Sequence, residues 1–354
     1  MRVCFDVDFI LFSAASIAQE TFIKATHVPT GQVIELENIS ALWGHHKKKD
    51  GGWCSVQNKM SGNDFYKPAD FEVENCQKLR PFRVKGKDGE PDTFLDPMAG
   101  AQKVVTDKIN GICGKLKAQS YFGYTGRGKT FRHDVATLQP YKGVRPAAPL
   151  ILNELKEWAV QNHNIVWVEG VEADDAVAMA VLDGYKKWVA GGKQDCDIII
   201  GCLIDKDGKQ TTGWTYNPNK HTEPRLIEGF GSLWLNEKDE VGGEGRMFYY
   251  FQVAFGDDCD GYRSNCFSDV KYGPKAAFKD LSHCKTDAEA FTALVKIYKK
   301  LYPEPKVVTT FRGDILIDHM YVFQELATLA LMLRKPGDFI DVKAVCQKLG
   351  VSFE

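Results

Sequence analysis

Nine carboxylates occupy four short clusters of the chain, and most of these clusters follow strongly apolar runs. The acids are Asp6 and Asp8, then Glu172, Asp174 and Asp175, then Asp205 and Asp207, then Asp257 and Asp260. Carboxylates brought together at the ends of buried elements repel one another unless a cation neutralises them. Oxygen-rich sites of this kind suit Mg²⁺ or Mn²⁺. The pattern therefore indicates a divalent-metal enzyme.

The elements that must position these acids read as alternating strands and helices. Strand-like apolar runs cover residues 2–7, 120–125, 165–168 and 197–204, and helical spacing covers 9–18, 149–160 and 174–189, with a further helix starting at 97. This alternation predicts an α/β fold with a mostly parallel central sheet flanked by helices. Helical spacing at 246–255, 274–281, 287–301 and 319–334 predicts a helical C-terminal part.

In a doubly wound sheet, polar residues that follow strands at one edge converge outside the carboxyl ends of the strands. Asp6, Glu172 and Asp205 all follow apparent strands, so they can meet although they are far apart in sequence. Taken singly, each acid could equally be a helix cap or a loop residue, because acids are favoured at helix starts. Four clusters at element ends together favour a common site.

The chain divides into a catalytic domain at 1–245, with an insertion at about 20–91, and a helical part at 246–354. The insertion is indicated by a change in composition towards Gly, Lys, Trp and Asn with strong turn signals. The net charge of −2 conceals acidic clusters and a basic segment. Scattered cysteines, the lack of a signal-like start and the lack of a long apolar run predict a soluble cytoplasmic protein with no membrane partner.

A basic segment lies between two of the predicted strands, at residues 123–149. Its cations are Arg127, Lys129, Arg132, Lys142 and Arg145, and Tyr141 lies among them. Such a segment can contact phosphates through its cations and stack nucleobases on its aromatic rings. A solvated loop with ordinary surface cations is the alternative.

Two further patterns favour simpler interpretations. GYTGRGKT at 123–130 matches the spacing of a phosphate-binding loop, but it comes late in the chain and no obvious helix follows it. His45 and His46, followed by three lysines, could form a metal or polyanion patch, yet a solvated loop explains them more simply. Neither pattern is assigned a function.

The fourth acidic cluster is followed by a candidate nucleic-acid contact. Asp257 and Asp260 are three residues apart, so at a helix end both can face one site. Downstream, Gly273 opens a helix whose N-terminal amides could hold a DNA phosphate, with Lys275 assisting. A turn followed by an ordinary amphipathic helix is the alternative.

Together these motifs resemble the flap endonuclease and 5′ nuclease superfamily, in particular the phage-type 5′→3′ exonucleases. FDVDFILFSAAS resembles its opening strand, GKTFRHDVATLQPYKGVRP its basic segment, and VEADD, IDKD and GDDCDGY its later acidic motifs. The resemblance runs from residue 1 to about 280, without the insertion. It implies a Mg²⁺-dependent enzyme that hydrolyses DNA from the 5′ end, with flap cleavage and RNA-primer removal from RNA–DNA hybrids as further activities, in phage replication or recombination.

The resemblance also implies roles for individual residues. It assigns Asp6, Glu172, Asp174 and Asp175 to one Mg²⁺ ion, with Asp8 as an auxiliary acid, and Asp205, Asp207, Asp257 and Asp260 to a second. Mn²⁺ could substitute for Mg²⁺. It gives Lys142 and Arg145 catalytic roles at the scissile phosphate and Tyr141 a neighbouring aromatic position. Arg127, Lys129, Arg132, Gly273 and Lys275 complete the expected DNA contacts.

The chain departs from the family pattern in two places. Thr125 stands where many relatives have an Asp, so the first metal site is expected to have one carboxylate fewer. Only Gly273 remains of the paired glycines expected in a helix-hairpin-helix motif. Two alternatives stay open: a ribonuclease of the related PIN-type fold, and a nucleic-acid-binding protein that has lost its activity.

Overall fold

The computed structural model describes residues 1–44, 51–86, 90–143 and 145–353. The predicted histidine and lysine patch at 45–49 lies outside these described residues. The chain forms two compact units, one made of residues 1–9, 109–146 and 160–354 and the other of residues 10–108 and 147–159. Each unit is described separately below.

The strands are β1 (Arg2–Asp6), β2 (Gln19–His27), β3 (Gln32–Leu36), β4 (Phe71–Leu79), β5 (Phe82–Val84), β6 (Thr93–Leu95), β7 (Ser120–Thr130), β8 (Ile165–Gly170), β9 (Ile199–Cys202), β10 (Gly213–Tyr216), β11 (Arg225–Ile227), β12 (Ser232–Leu235), β13 (Val241–Glu244), β14 (Gly256–Asp257), β15 (Tyr262–Arg263), β16 (Lys306–Thr310) and β17 (Gly313–Ile317). The helices are α1 (Asp8–Ile17), α2 (Ile39–Trp43), α3 (Trp53–Ser61), α4 (Pro97–Lys115), α5 (Phe131–Val135), α6 (Leu152–Asn162), α7 (Ala173–Ala190), α8 (Gly245–Phe255), α9 (Pro274–Leu281), α10 (Asp287–Leu301), α11 (His319–Leu329) and α12 (Val342–Leu349).

The first unit is built on a six-stranded sheet with the strand order β11-β10-β9-β1-β7-β8. Strands β10, β9, β1, β7 and β8 pair in parallel, and β11 joins antiparallel at one edge. The predicted α/β class with a mainly parallel central sheet is therefore confirmed. Cys4 of β1 and Leu203, which follows β9, pack with Val177 and Val181 of α7, which explains why these runs are apolar.

The helical C-terminal part of this unit has its own apolar core, formed mainly by α8, α10 and α11. Thr286 caps the start of α10, where its side chain accepts a hydrogen bond from the amide of Glu289. The prediction of helices alone missed the hairpin of β16 and β17, where Val307 pairs with Leu316. Helix α11 also ends earlier than the predicted residue 334, because the carbonyl groups of Leu329 and Leu331 accept hydrogen bonds from Arg132 instead.

The second unit contains most of the stretch that was predicted as an insertion. A three-stranded antiparallel sheet has the order β3-β2-β4, and Ile23, Leu42 and Phe71 pack in a small core beside it. Asp96 caps α4 by accepting hydrogen bonds from the amides of Met98 and Ala99, both at 3.0 Å, as the Asp-Pro pair predicts. Within the described residues of the whole chain, no helix is long and apolar enough to cross a membrane.

Candidate metal centre

The carboxyl ends of the parallel strands bring three of the acidic clusters to one edge of the sheet. Asp6 is the last residue of β1, Glu172 lies between β8 and α7, and Asp205 follows β9. Because β1, β8 and β9 belong to one parallel sheet, their carboxyl ends point the same way. The fourth cluster comes from β14, which follows α8 directly, and from the turn after it.

Tyr141 joins the second and fourth clusters. Its hydroxyl lies 3.0 Å from Glu172 Oε2 and 2.9 Å from Asp260 Oδ2, so it can donate a hydrogen bond to either carboxylate. Its ring stacks against Tyr262 at 6.3 Å between centroids, and the residue is only 5% exposed. Stacking on a nucleobase requires an accessible ring, so this structure does not support that role of Tyr141, which stays a prediction.

Lys142 and Arg145 face the same carboxylates. The Lys142 ammonium donates a hydrogen bond to Glu172 and lies 3.9 Å from Asp260 Oδ1, and Arg145 Nη2 lies 3.2 Å from that oxygen. Burial would raise the pKa of Glu172, but Lys142 and Arg132 more than offset it and hold the pKa below its usual value. The site is therefore partly neutralised by the chain's own cations.

Arg132 lies in the interior rather than on a nucleic-acid surface. It is 2% exposed and donates to Asp175 Oδ2 at 2.6 Å and Oδ1 at 2.9 Å, as well as to Glu172 at 3.3 Å. The guanidinium is engaged inside the protein, so this structure does not support the DNA contact of Arg132, which stays a prediction. Asp175 has no exposed surface, and ligating a metal would cost it this pairing. Its role as a ligand stays a prediction.

The first acidic group centres on Asp174. Burial raises the pKa of Asp174 well above its usual value, and the negative charges of Glu172, Asp175 and Asp6 raise it further. One oxygen each of Glu172, Asp174 and Asp175 lies within 4.8 Å of the others. Crowding of this kind is what a divalent cation relieves.

The second acidic group consists of Asp207, Asp257 and Asp260, whose ligand oxygens also lie within 4.8 Å of one another. Burial and the neighbouring Asp205 and Asp257 raise the pKa of Asp207 to about 8. Asp257 is 2% exposed, and its Oδ2 lies 2.8 Å from the ammonium of Lys206. Sequence reasoning missed Lys206, although its position between Asp205 and Asp207 was a signal.

Asp205 and Asp8 belong to neither group of three. Asp205 is exposed, and its Oδ1 accepts a hydrogen bond from the amide of Asp207 at 3.2 Å. Asp8 accepts hydrogen bonds from the Thr125 hydroxyl at 2.5 Å and from the Gly126 amide at 3.1 Å. Thr125 is fully buried on β7, so it anchors Asp8 where the family pattern would place another acid.

The remaining predicted DNA contacts lie on the surface of this unit. Arg127 and Lys129 are exposed near the end of β7, where the Arg127 guanidinium lies 5.6 Å from the centre of the Trp167 ring. Residues 123–130 belong to this strand and form no separate loop, which disfavours the phosphate-loop interpretation. Gly273 caps α9, and exposed Lys275 forms an ion pair with Asp239.

Comparisons with known proteins find similarity among solved structures only. No protein-family model matches the chain, and no curated protein matches it. A structure of a T5 5′-exonuclease variant has a TM-score of 0.36 and 12% identity, covering 70% of this chain and 84% of its own. A bacteriophage T5 flap endonuclease complex with DNA and metal ions has a TM-score of 0.39 and 14% identity, covering 70% and 83%.

A T5 5′-exonuclease with bound zinc ions is a third similar structure, with a TM-score of 0.33, 16% identity and coverage of 65% of this chain and 78% of its own. All three TM-scores are below 0.5 and all three identities are below 25%. The likeness is distant, and the function proposed below rests on the geometry of the carboxylate site.

Proposed function

We propose that this protein is a divalent-metal-dependent 5′ nuclease that hydrolyses DNA from the 5′ end. The observation that carries the proposal is the position of the Tyr141 hydroxyl, within hydrogen-bonding distance of Glu172 and Asp260. This contact makes one acidic site from clusters that are far apart in sequence. Flap cleavage, RNA-primer removal and a cytoplasmic location belong to the same proposal.

The donor set fits Mg²⁺, with Mn²⁺ as a substitute, because every candidate ligand is a carboxylate oxygen. Asp6, Glu172, Asp174 and Asp175 would hold one ion, and Asp205, Asp207, Asp257 and Asp260 would hold the other. When bound, two such ions activate a water molecule and stabilise the departing oxygen of a phosphodiester.

The cations of the chain would act on the nucleic acid itself. Lys142 and Arg145 lie beside the carboxylates, where they can neutralise charge that develops on the phosphate. Arg127 and Lys129 are exposed and can contact the DNA backbone without reading its sequence. Gly273 and Lys275 at the start of α9 would hold a more distant phosphate.

Release of nucleotides from 5′-labelled duplex DNA tests the proposal. We expect release with Mg²⁺ and none with EDTA. Asp257→Asn should reduce release by about 100-fold or more, because outer partners of metal ligands alone are worth 10- to 100-fold. Asp258→Asn is the matched control, since Asp258 is the next residue but is exposed and paired with Arg263.

Three outcomes would contradict the proposal. Release of nucleotides in EDTA would show that no metal is required. Faster cleavage of RNA than of DNA of the same sequence would favour the ribonuclease alternative. DNA binding without any release would favour an inactive binding protein. Comparing a blunt duplex with a 5′-flap substrate in the same assay separates exonuclease from flap cleavage.

A further inference from the structure

Glu325 of α11 is a buried acid that the proposed chemistry does not use. It is 6% exposed, and its Oε1 accepts hydrogen bonds from the backbone amides of Thr137 and Leu138, both at 3.0 Å. The Thr137 hydroxyl donates to the other oxygen. One carboxylate far along the chain therefore holds the backbone just ahead of Tyr141 and Lys142.

The other end of this short segment is held at the metal centre. The Lys142 amide donates to the carbonyl of Asp260 at 2.8 Å. Lys142 also has a backbone φ of 56°, a value that residues other than glycine rarely adopt. Gln139 Oε1 accepts a hydrogen bond from the amide of Arg263 at 2.8 Å. An uncommon backbone conformation persists only where the surroundings determine it, and here they do so on both sides.

We propose that Glu325 is a positioning residue that keeps residues 137–142 in place, so that Tyr141 and Lys142 stay against Glu172 and Asp260. The proposal rests on the proposed nuclease function. Its physical basis is that Thr137 and Leu138 present two adjacent amides to one buried acceptor. Without that acceptor the amides would have to move to find other partners, and the segment would move with them.

Stabilisation of α11 alone is the competing explanation, and the neighbouring Gln324 provides the comparison. Gln324 donates to the carbonyl of Ile340 at 2.6 Å and accepts from the amide of Val342 at 2.9 Å. It thus joins α11 to the start of α12 and makes no hydrogen bond to residues 137–142 among those described. Loss of Gln324 should loosen the helix without releasing the segment.

Hydrogen exchange and steady-state kinetics on the full chain test the proposal together. Glu325→Leu should speed exchange of the amides at 137–142 and lower kcat on 5′-labelled duplex DNA, each by about 10- to 100-fold, because small displacements of reacting groups cost that much. KM should change little. In Glu325→Gln, both the exchange rate and kcat should stay near wild type, since the glutamine amide oxygen can still accept hydrogen bonds from Thr137 and Leu138.

Gln324→Leu is the matched control and should lower Tm while leaving exchange at 137–142 and kcat near wild type. Unchanged exchange in Glu325→Leu, a loosened segment with unchanged kcat, or an equal loss of kcat in Gln324→Leu would overturn the proposal. Should Glu325→Leu fail to fold, Glu325→Asp keeps the charge but shortens the side chain by one methylene group, which withdraws the acceptor from the amides of Thr137 and Leu138. It should then raise exchange of the same segment, and no rise would refute the role of Glu325.

The nuclease function can fail independently of this inference. If the wild-type protein releases no nucleotide, the function proposed above is wrong. The exchange comparison between Glu325→Leu and Gln324→Leu still decides whether Glu325 holds residues 137–142.

Discussion

Arg132 and Asp175 form a buried ion pair with two hydrogen bonds, at 2.6 and 2.9 Å, beneath the acidic site. The same guanidinium donates to the carbonyl groups of Leu329 and Leu331 at the end of α11. Arg132 therefore connects the start of α7 with the C-terminal helices of its unit. This arrangement places a cation beneath the carboxylates without exposing it to a ligand.

Arg132→Leu should lower the free energy of unfolding by about 3–5 kcal/mol, because removing one partner leaves Asp175 buried and uncompensated. Urea denaturation monitored by circular dichroism measures the change. Arg127→Leu is the control, since Arg127 is exposed and should shift stability by no more than about 0.5 kcal/mol. Equal effects of the two substitutions would show that the buried pair contributes nothing.

The sequence predicts four strands of the sheet (β1, β7, β8 and β9), helix α7 and the acids that follow the strands because these depend on local patterns, whereas it did not reveal β10 and β11. Asp6 and Glu172 follow apolar runs of strand length, and the rule for parallel sheets then brings them together. The burial of Arg132 and Tyr141 could not be predicted, because it depends on distant elements. Nothing near Arg132 in the sequence indicates that residues 329–331 cover it.

The second unit shows the same limit in a different form. The change in composition after residue 20 marks a separate stretch, but β4 pairs antiparallel with β2 from a distant part of the sequence, which local spacing does not reveal. Lys206 was overlooked for a related reason. A lysine between two acids reads as a surface residue until the fold places Asp257 beside it.

Lys206 and a divalent ion should compete for Asp257. Lys206→Met should tighten Mn²⁺ binding by about tenfold, because it removes a positive charge 2.8 Å from the Asp257 oxygen. Titration of the protein with Mn²⁺, followed by electron paramagnetic resonance, measures the affinity. Lys209→Met is the control, since the Lys209 ammonium lies over the Phe248 ring. Weaker binding in Lys206→Met would indicate that the lysine supports the ion instead.

The metal-free protein should lose stability as the pH rises from about 4 to about 8. The pKa of Asp207 is about 8 in the folded protein, against about 3.9 in an unfolded chain, so folding favours its protonated form. Its contribution is fully present below the unfolded pKa and is lost as the pH rises through the folded pKa. At pH 8 in EDTA, the free energy of unfolding of Asp207→Asn should therefore exceed that of the wild-type protein by about 1 kcal/mol or more.

Urea denaturation across this pH range, with EDTA and then with Mg²⁺, provides the test. Saturating Mg²⁺ should remove the pH-dependent loss in the wild-type protein, because the ion stabilises the ionised carboxylate. A wild-type protein that is as stable as Asp207→Asn at pH 8 in EDTA would show that Asp207 is ionised at no cost.

Lys142→Met should lower kcat for nucleotide release by about 100- to 1,000-fold, the usual cost of losing one preorganised donor at developing charge. Affinity for DNA should change less, because one phosphate contact among several is lost. Lys129→Met is the control: its side chain is exposed on β7, so it should weaken binding without altering kcat. A change in affinity alone for Lys142→Met would make it a DNA contact and not a catalytic residue.

Asp205→Asn should abolish most cleavage while leaving DNA binding largely intact. Asp205 follows β9 and raises the pKa of Asp207, so it shares the electrostatic field of the second acidic group. Losing its charge should lower cleavage by about 10- to 100-fold through weaker metal binding. Asp195→Asn, an exposed acid at the opposite end of β9, makes the same charge change outside the site. Cleavage assays with Mg²⁺ measure the loss of activity, and fluorescence anisotropy of labelled DNA in EDTA measures DNA binding. Wild-type turnover by Asp205→Asn would show that this acid has no part in the mechanism.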